Sequence, residues 1–135
     1  MILALLLTAA TLQTQTDADG LTPLMQAAAR GDVARVTSLL AGGADANQAH
    51  AQLRLTPLMF AAYSGHDAVV QVLLDKGATA NAKDAAGASA ADWASQGGHE
   101  PTADRLAKAG AQLNPFLNVG ILPFGLMDKA AGKAP

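Results

Sequence analysis

Apolar residues in this chain fall in short runs at helical spacing, divided by glycine, proline and polar positions. Val33, Val36, Leu39 and Leu40 share one helix face, and Val69, Val70, Val72, Leu73 and Leu74 repeat the arrangement further along. This is the spacing of a helix that buries one side. A shorter apolar segment of about two turns precedes each such helix. It begins after Thr22, Thr56 or Ser89 and stops near Gly31, Gly65 or Gly98. The hydroxyl residues are suited to cap a helix N-terminus. Pro23 and Pro57 then occupy the first helical position, where no amide hydrogen is needed. A glycine ends the segment because it takes the left-handed conformation cheaply. The longer helices end before Gly43, Gly77 and Gly110. The pattern predicts three helix pairs joined by polar connectors, an all-α fold.

The pairs recur with a fixed period. Thr22-Pro23-Leu24-Met25-Gln26-Ala27 returns as Thr56-Pro57-Leu58-Met59-Phe60-Ala61, and a weaker copy, Ser89-Ala90-Ala91-Asp92-Trp93-Ala94, follows. The Thr/Ser position, the glycine at 31, 65 and 98, and the Gly-Ala pair at 43–44, 77–78 and 110–111 all step together. Three landmarks in phase predict a stacked repeat array, in which each unit covers its neighbour's apolar face. Three units are near the minimum for a stable array.

The middle unit, Leu55-Thr56-Pro57-Leu58-Met59-Phe60-Ala61-Ala62-Tyr63-Ser64-Gly65-His66 through Leu73-Leu74-Asp75-Lys76-Gly77-Ala78, resembles the ankyrin repeat, and Asn47 and Asn81 match the asparagine after the Gly-Ala pair. The resemblance covers about 95 of the 135 residues. It implies a short solenoid of stacked helix-turn-helix units (17–47, 51–81 and 84–111) with finger loops projecting from one side. The family histidine after Thr-Pro-Leu is Met25, Met59 and Asp92 here, so the hydrogen bonds it makes are absent or replaced. The finger between the first two units carries one extra residue, and Arg54 stands where a turn glycine is usual. His66 and His99, just after the repeat glycine, are expected to serve packing and helix capping. Arg35 and Thr102 replace the Val69 position in the outer units, and Ala107 replaces Leu74. These polar or smaller residues are expected on the uncovered outer faces of an intact three-unit array.

The flanks differ from the repeats. Residues 1–10, Met-Ile-Leu-Ala-Leu-Leu-Leu-Thr-Ala-Ala, form an apolar stretch ending in small residues, with Thr8 and Ala10 suited to a cleavage site. They are expected to be a signal peptide, with residues 11–16 a linker. The other reading is a retained helix covering the first repeat. Residues 112–135 mix Pro115, Gly120, Pro123, Gly125 and Gly132 with Phe116, Leu117, Val119, Ile121, Leu122, Phe124, Leu126 and Met127. This tail is expected to lie as a flap over the end of the array. The alternative is a segment that touches a partner or a membrane.

Composition narrows the chemistry. Half the residues are apolar but only 4% are aromatic, and net charge is −2. The core is therefore to be built from small side chains. No basic stripe exists to attract nucleic acid. With no cysteine, disulfides, zinc thiolates and thiol nucleophiles are excluded. His50, His66 and His99 have no metal-ligand spacing. Ser64-Gly65 lacks the first glycine of a nucleophile elbow, and Gly42-Gly43 and Gly97-Gly98 lack a following Gly-Lys-Thr/Ser. Neither catalysis, a cofactor nor a metal is expected. Met25 and Met59 read as gap fillers of the interior, and Trp93 as either core or interface anchor.

What remains is a binding surface. The resemblance implies that a partner protein meets the fingers and the face made by the first helices. Transferred position by position, this surface comprises Leu21 and Arg30; His50, Gln52, Leu53, Arg54, Leu55, Tyr63 and Ser64; and Ala86, Ala88 and Gln96. Tyr63 and Arg54 are the residues best suited to dominate binding energy. The function expected is a protein-binding adaptor, and the leader together with the alanine-rich composition points to a bacterial periplasm or secretion. The alternatives are a cytoplasmic scaffold with its first helix retained and a peripheral membrane scaffold using the apolar tail.

Overall fold

The computed structural model describes residues 15–115 and 124–132. Within them lie seven helices and no strand: α1 Pro23–Arg30, α2 Val33–Ala41, α3 Pro57–Tyr63, α4 Asp67–Asp75, α5 Ala90–Gln96, α6 Glu100–Lys108 and α7 Phe124–Ala130. The expected leader at residues 1–10 lies outside the described residues, as do Phe116, Leu117, Val119, Ile121 and Leu122 of the tail.

The caps form as expected. The hydroxyls of Thr22, Thr56 and Ser89 accept from the amides of Met25, Met59 and Asp92 at 3.2, 3.3 and 3.4 Å. The third helical residue answers in each unit. Met25 Sδ accepts from the Thr22 amide at 3.5 Å, Met59 Sδ from the Thr56 amide at 3.4 Å, and Asp92 Oδ2 from the Ser89 amide at 2.8 Å. The two methionines therefore do more than fill gaps. Their thioethers are weak acceptors that close a capping box where the family places histidine.

Consecutive first helices lie side by side, α1 on α3 and α3 on α5, with α2 on α4 behind them. The seam is built from alanine: Ala27, Ala28, Ala61, Ala62, Ala91 and Ala94 are all buried. Backbones approach so closely that a Cβ on Gly97 would stand 2.2 Å from the Tyr63 carbonyl oxygen. Behind the seam, Leu24, Leu58, Phe60, Val36, Leu73 and Leu106 fill the interior. Trp93 belongs to this core. It is fully buried, donates from Nε1 to Asp84 Oδ2 at 2.8 Å, and meets the Tyr63 ring edge-on at 5.7 Å and 88°.

His66 and His99 tie each unit to the one before. The His66 ring lies over Gly31 with Nε2 3.1 Å from the Ala29 carbonyl, and the His99 ring lies over Gly65. Neither side chain caps its own helix. Asn47 makes a second link, donating to the Gly77 carbonyl at 3.0 Å and accepting from the Thr79 amide at 2.7 Å.

Two expectations about the ends need correction. Thr102 is 2% exposed and donates to Asp67 Oδ1 at 2.6 Å. Its register faces the preceding unit, which the third unit has and the first lacks; hence Arg35 at the same register is exposed while Thr102 is not. The described parts of the tail, expected as an end flap, do two different things. Residues 111–114 run along the third unit, where Gln112 accepts from Ser89 Oγ at 2.8 Å and the Asn114 amide donates to Asp92 Oδ1 at 2.8 Å. Further along the chain, α7 packs across α1 and α3.

The seam and the glycine–histidine packing can be separated by mutation. Gly97→Ala has no backbone obstacle (φ −78°) but drives a methyl into the Tyr63 carbonyl; a loss of about 2 kcal/mol or more in urea unfolding is expected. Gly98→Ala faces open space and costs only its left-handed backbone, φ 80°, about 1 kcal/mol. Gly65→Ala suffers both, because φ is 72° and the His99 ring would lie 2.5 Å away. In a double-mutant cycle with His99→Ala the two losses are expected to be less than additive by about 1 kcal/mol; additive losses would show that the ring does not rest on this glycine.

Candidate functional site

Each finger is a turn that delivers the chain to a helix cap. The Asp17, His50 and Asp84 amides donate to the carbonyls of Leu21, Leu55 and Ala88 at 3.0, 2.8 and 2.9 Å, closing three equivalent loops. The residue before each of these carbonyls has positive φ: Gly20 at 80°, Arg54 at 59° and Gly87 at 85°. Among the described residues Arg54 is the only non-glycine in that conformation. The extra residue lies inside this turn, so the Arg54 amide reaches back four positions to His50, whereas Gly20 and Gly87 reach back three.

The residue that opens each turn also organises it. Asp17 Oδ1 accepts from the Asp19 and Leu21 amides, both at 2.9 Å, and Asp84 Oδ1 does the same for Ala86 and Ala88 at 2.9 Å. Their second oxygens accept from the first helix, Asp17 from Gln26 Nε2 at 2.6 Å and Asp84 from Trp93 Nε1 at 2.8 Å. Gln26, Phe60 and Trp93 occupy the same register, and Phe60 has no donor to offer. In that unit His50 replaces the acid. Its Nδ1 accepts from the Gln52 and Leu53 amides at 3.2 and 3.1 Å. Nε2 must then carry the proton, and it donates to the Asp19 carbonyl of the preceding finger at 2.9 Å. The Ala85 amide makes the corresponding link to the Leu53 carbonyl at 2.9 Å. Burial alone would raise the Asp17 carboxyl, but the Leu21 and Asp19 amides, Gln26 and the charge of Lys129 outweigh it and hold the group below its ordinary value.

The structure divides the twelve expected contact residues into three sets. Arg30, Gln52, Arg54 and Gln96 are exposed, and Leu53, Tyr63, Ser64 and Ala86 are partly so. Leu21, His50, Leu55 and Ala88 are buried and drop out of any contact surface. Leu21, Leu55 and Ala88 sit one residue before the caps, where the chain turns inward, and His50 is spent on its finger. Beside these residues a recess of ≈ 320 Å³ opens between the first two fingers, lined by Thr16, Ala18, Gln48 and Gln52 among others.

On the helix side the site is already engaged. Tyr63 Oη donates to Asp128 Oδ1 at 2.9 Å, and Lys129 Nζ lies 2.6 Å from Asp19 Oδ2. Burial raises the Tyr63 phenol above its usual value, and the hydrogen bond and charge of Asp128 raise it further. The Lys129 ammonium is also raised, first by its hydrogen bond to Asp19 and then by that carboxylate's charge. Sequence reasoning missed Asp19, Asp128 and Lys129. Their contacts join the first two units to a tail outside the repeat, so no period announces them; the spacing of Met127 and Ala130 on one helix face was the available hint.

A family sequence model described as Ankyrin repeats (3 copies) matches residues 1–84 and 24–116. No curated protein matches the chain. Repeats of this kind support binding to other proteins. The chain has no cysteine, and among the described residues no group of three His, Asp or Glu could hold a metal ion. No helix among those residues is long and apolar enough to cross a membrane. With its three capped helix pairs in register and a family match over most of its length, the chain belongs to the ankyrin-repeat family.

Proposed function

We propose that this chain is an adaptor that binds another protein, with the second finger as the main point of contact. The observation that carries this reading is Arg54. An exposed turn residue held at φ 59° where glycine would be free of strain costs stability, and among the described residues its side chain makes no hydrogen bond or ion pair in return. Its guanidinium suits paired hydrogen bonds to a carboxylate on a partner. Gln52 and the partly exposed Leu53 extend the same tip, and the recess between the first two fingers can receive a partner side chain. Three short repeats offer a contact area at the lower end of ordinary interfaces, about 1,200 Å² in total. Binding then depends on a few strong side chains.

Arg54→Gly tests this because stability and binding are expected to move in opposite directions. Removing the left-handed side chain is expected to raise unfolding free energy by about 0.5–1 kcal/mol. Recovery of the partner by immobilised protein from the native host's extract is expected to fall about tenfold or more. Asp104→Ala, on the far side of the array, serves as control and should leave recovery unchanged. Full recovery with Arg54→Gly would remove the second finger from the interface.

A further inference from the structure

α7 cannot hold itself together. Seven residues containing Gly125 do not make a stable helix in water, so its order comes from the surface beneath it. Met127 and Ala130, one turn apart, are 1% and 5% exposed against α1 and α3. The two residues between them fix the register: Asp128 accepts from the Tyr63 hydroxyl, and Lys129 pairs with Asp19. Alongside, a recess of ≈ 120 Å³ is bordered by Asp17, Gln26, Arg30 and Lys129. Thus an apolar residue, an acid, a base and a small residue in succession meet an apolar seat, a phenol, a carboxylate and a buried position. The hold is shallow. One methionine and one alanine are buried, and the lysine side chain remains 67% exposed, where ion pairs contribute little.

We propose that α7 is a built-in ligand: the surface over α1 and α3 is a seat for a short amphipathic helix, and a partner protein gains it by displacing α7 with a segment of the same pattern as Met127-Asp128-Lys129-Ala130. This rests on the protein-binding reading above. Because α7 is tethered, its local concentration is in the millimolar range or thereabouts, so weak contacts suffice to close the seat. A partner helix must match the pattern to compete, and the closed state thereby filters what binds. The chain's single tyrosine reports the exchange, since the burial and the Asp128 contact that raise its phenol are both tied to the docked state.

The test uses the full chain and a fluorescein-labelled peptide spanning residues 124–132. In the Met127→Glu chain α7 is undocked, and peptide affinity by anisotropy is expected to be at least about tenfold higher than for the unsubstituted chain. The tyrosine of that variant should titrate at lower pH, and saturating peptide should return it upward. Lys129→Glu, which sets like charge against Asp19 and Asp17, should give an intermediate gain; it decides the question if Met127→Glu loses helix content by circular dichroism. Equal affinity for open and closed chains, or no binding to a folded open chain, would overturn the proposal. Failure of the two readings is distinguishable. Partner capture that depends on Arg54 but not on Met127→Glu would end the α7 inference alone, whereas peptide exchange without Arg54 dependence would end the finger assignment alone.

Discussion

The array depends on how closely consecutive first helices can approach. Where α5 meets α3 the backbones leave no room for a methyl group at Gly97, and alanine lines most of the seam. Small side chains give up burial per residue, and the structure recovers it through proximity, since dispersion requires partner atoms at van der Waals distance. The low aromatic content is therefore part of the design of the seam. It also makes the units mutually dependent, because no helix pair encloses a core of its own. The histidine rings over Gly31 and Gly65 belong to the same constraint, since they fit only where the preceding unit lacks a Cβ.

The fingers show how one geometry survives changes of chemistry. An acid opens the turn when the helix supplies a donor, as with Asp17 and Gln26 or Asp84 and Trp93. When the helix supplies Phe60, an acid would leave one buried oxygen without a partner, at a cost of about 1–3 kcal/mol. His50 avoids this, because its second nitrogen is a donor and the Asp19 carbonyl of the neighbouring finger lies within reach. The loss of a bond within the unit becomes a gain of a bond between units. The substitution and the extra residue at Arg54 fall in the same finger, which is thus set apart from the other two in both sequence and contacts.

The periodic framework was legible in the sequence. Caps, helix lengths, terminating glycines and the all-α stack follow from Thr22, Thr56, Ser89 and the glycine series because these are local signals repeated in phase. What escaped is what depends on direction or on a single occurrence. The pattern located Thr102 at the Val69 position but could not say that this position looks backward along the stack. The family resemblance placed Leu21, Leu55 and Ala88 beside the groove, although the turn aims them inward. Met25 and Met59 were legible as interior residues, but not as acceptors for the Thr22 and Thr56 amides, because a thioether bond depends on a rotamer. The α7 contacts join residues far apart in the chain, and no local rule reaches across such a distance.

A repeated surface is by construction similar at every step, so discrimination has to come from where the repeat is broken. In the described residues the breaks gather at one place. The extra residue and Arg54 belong to the second finger, a recess of ≈ 320 Å³ lies between it and the first, and Asp19 both receives the His50 bond and holds Lys129. The Tyr63–Asp128 bond ties α3 to the same helix. The third unit is occupied otherwise: Trp93 is sunk in the core, and residues 112–114 bind Asp92, Gly87 and Ser89. That division gives the third unit the task of supporting the stack and concentrates the exposed, irregular chemistry on the first two. A partner that bridged the second finger and the seat of α7 would touch both features that the repeat alone does not specify, and would do so across a rigid seam that fixes the distance between them.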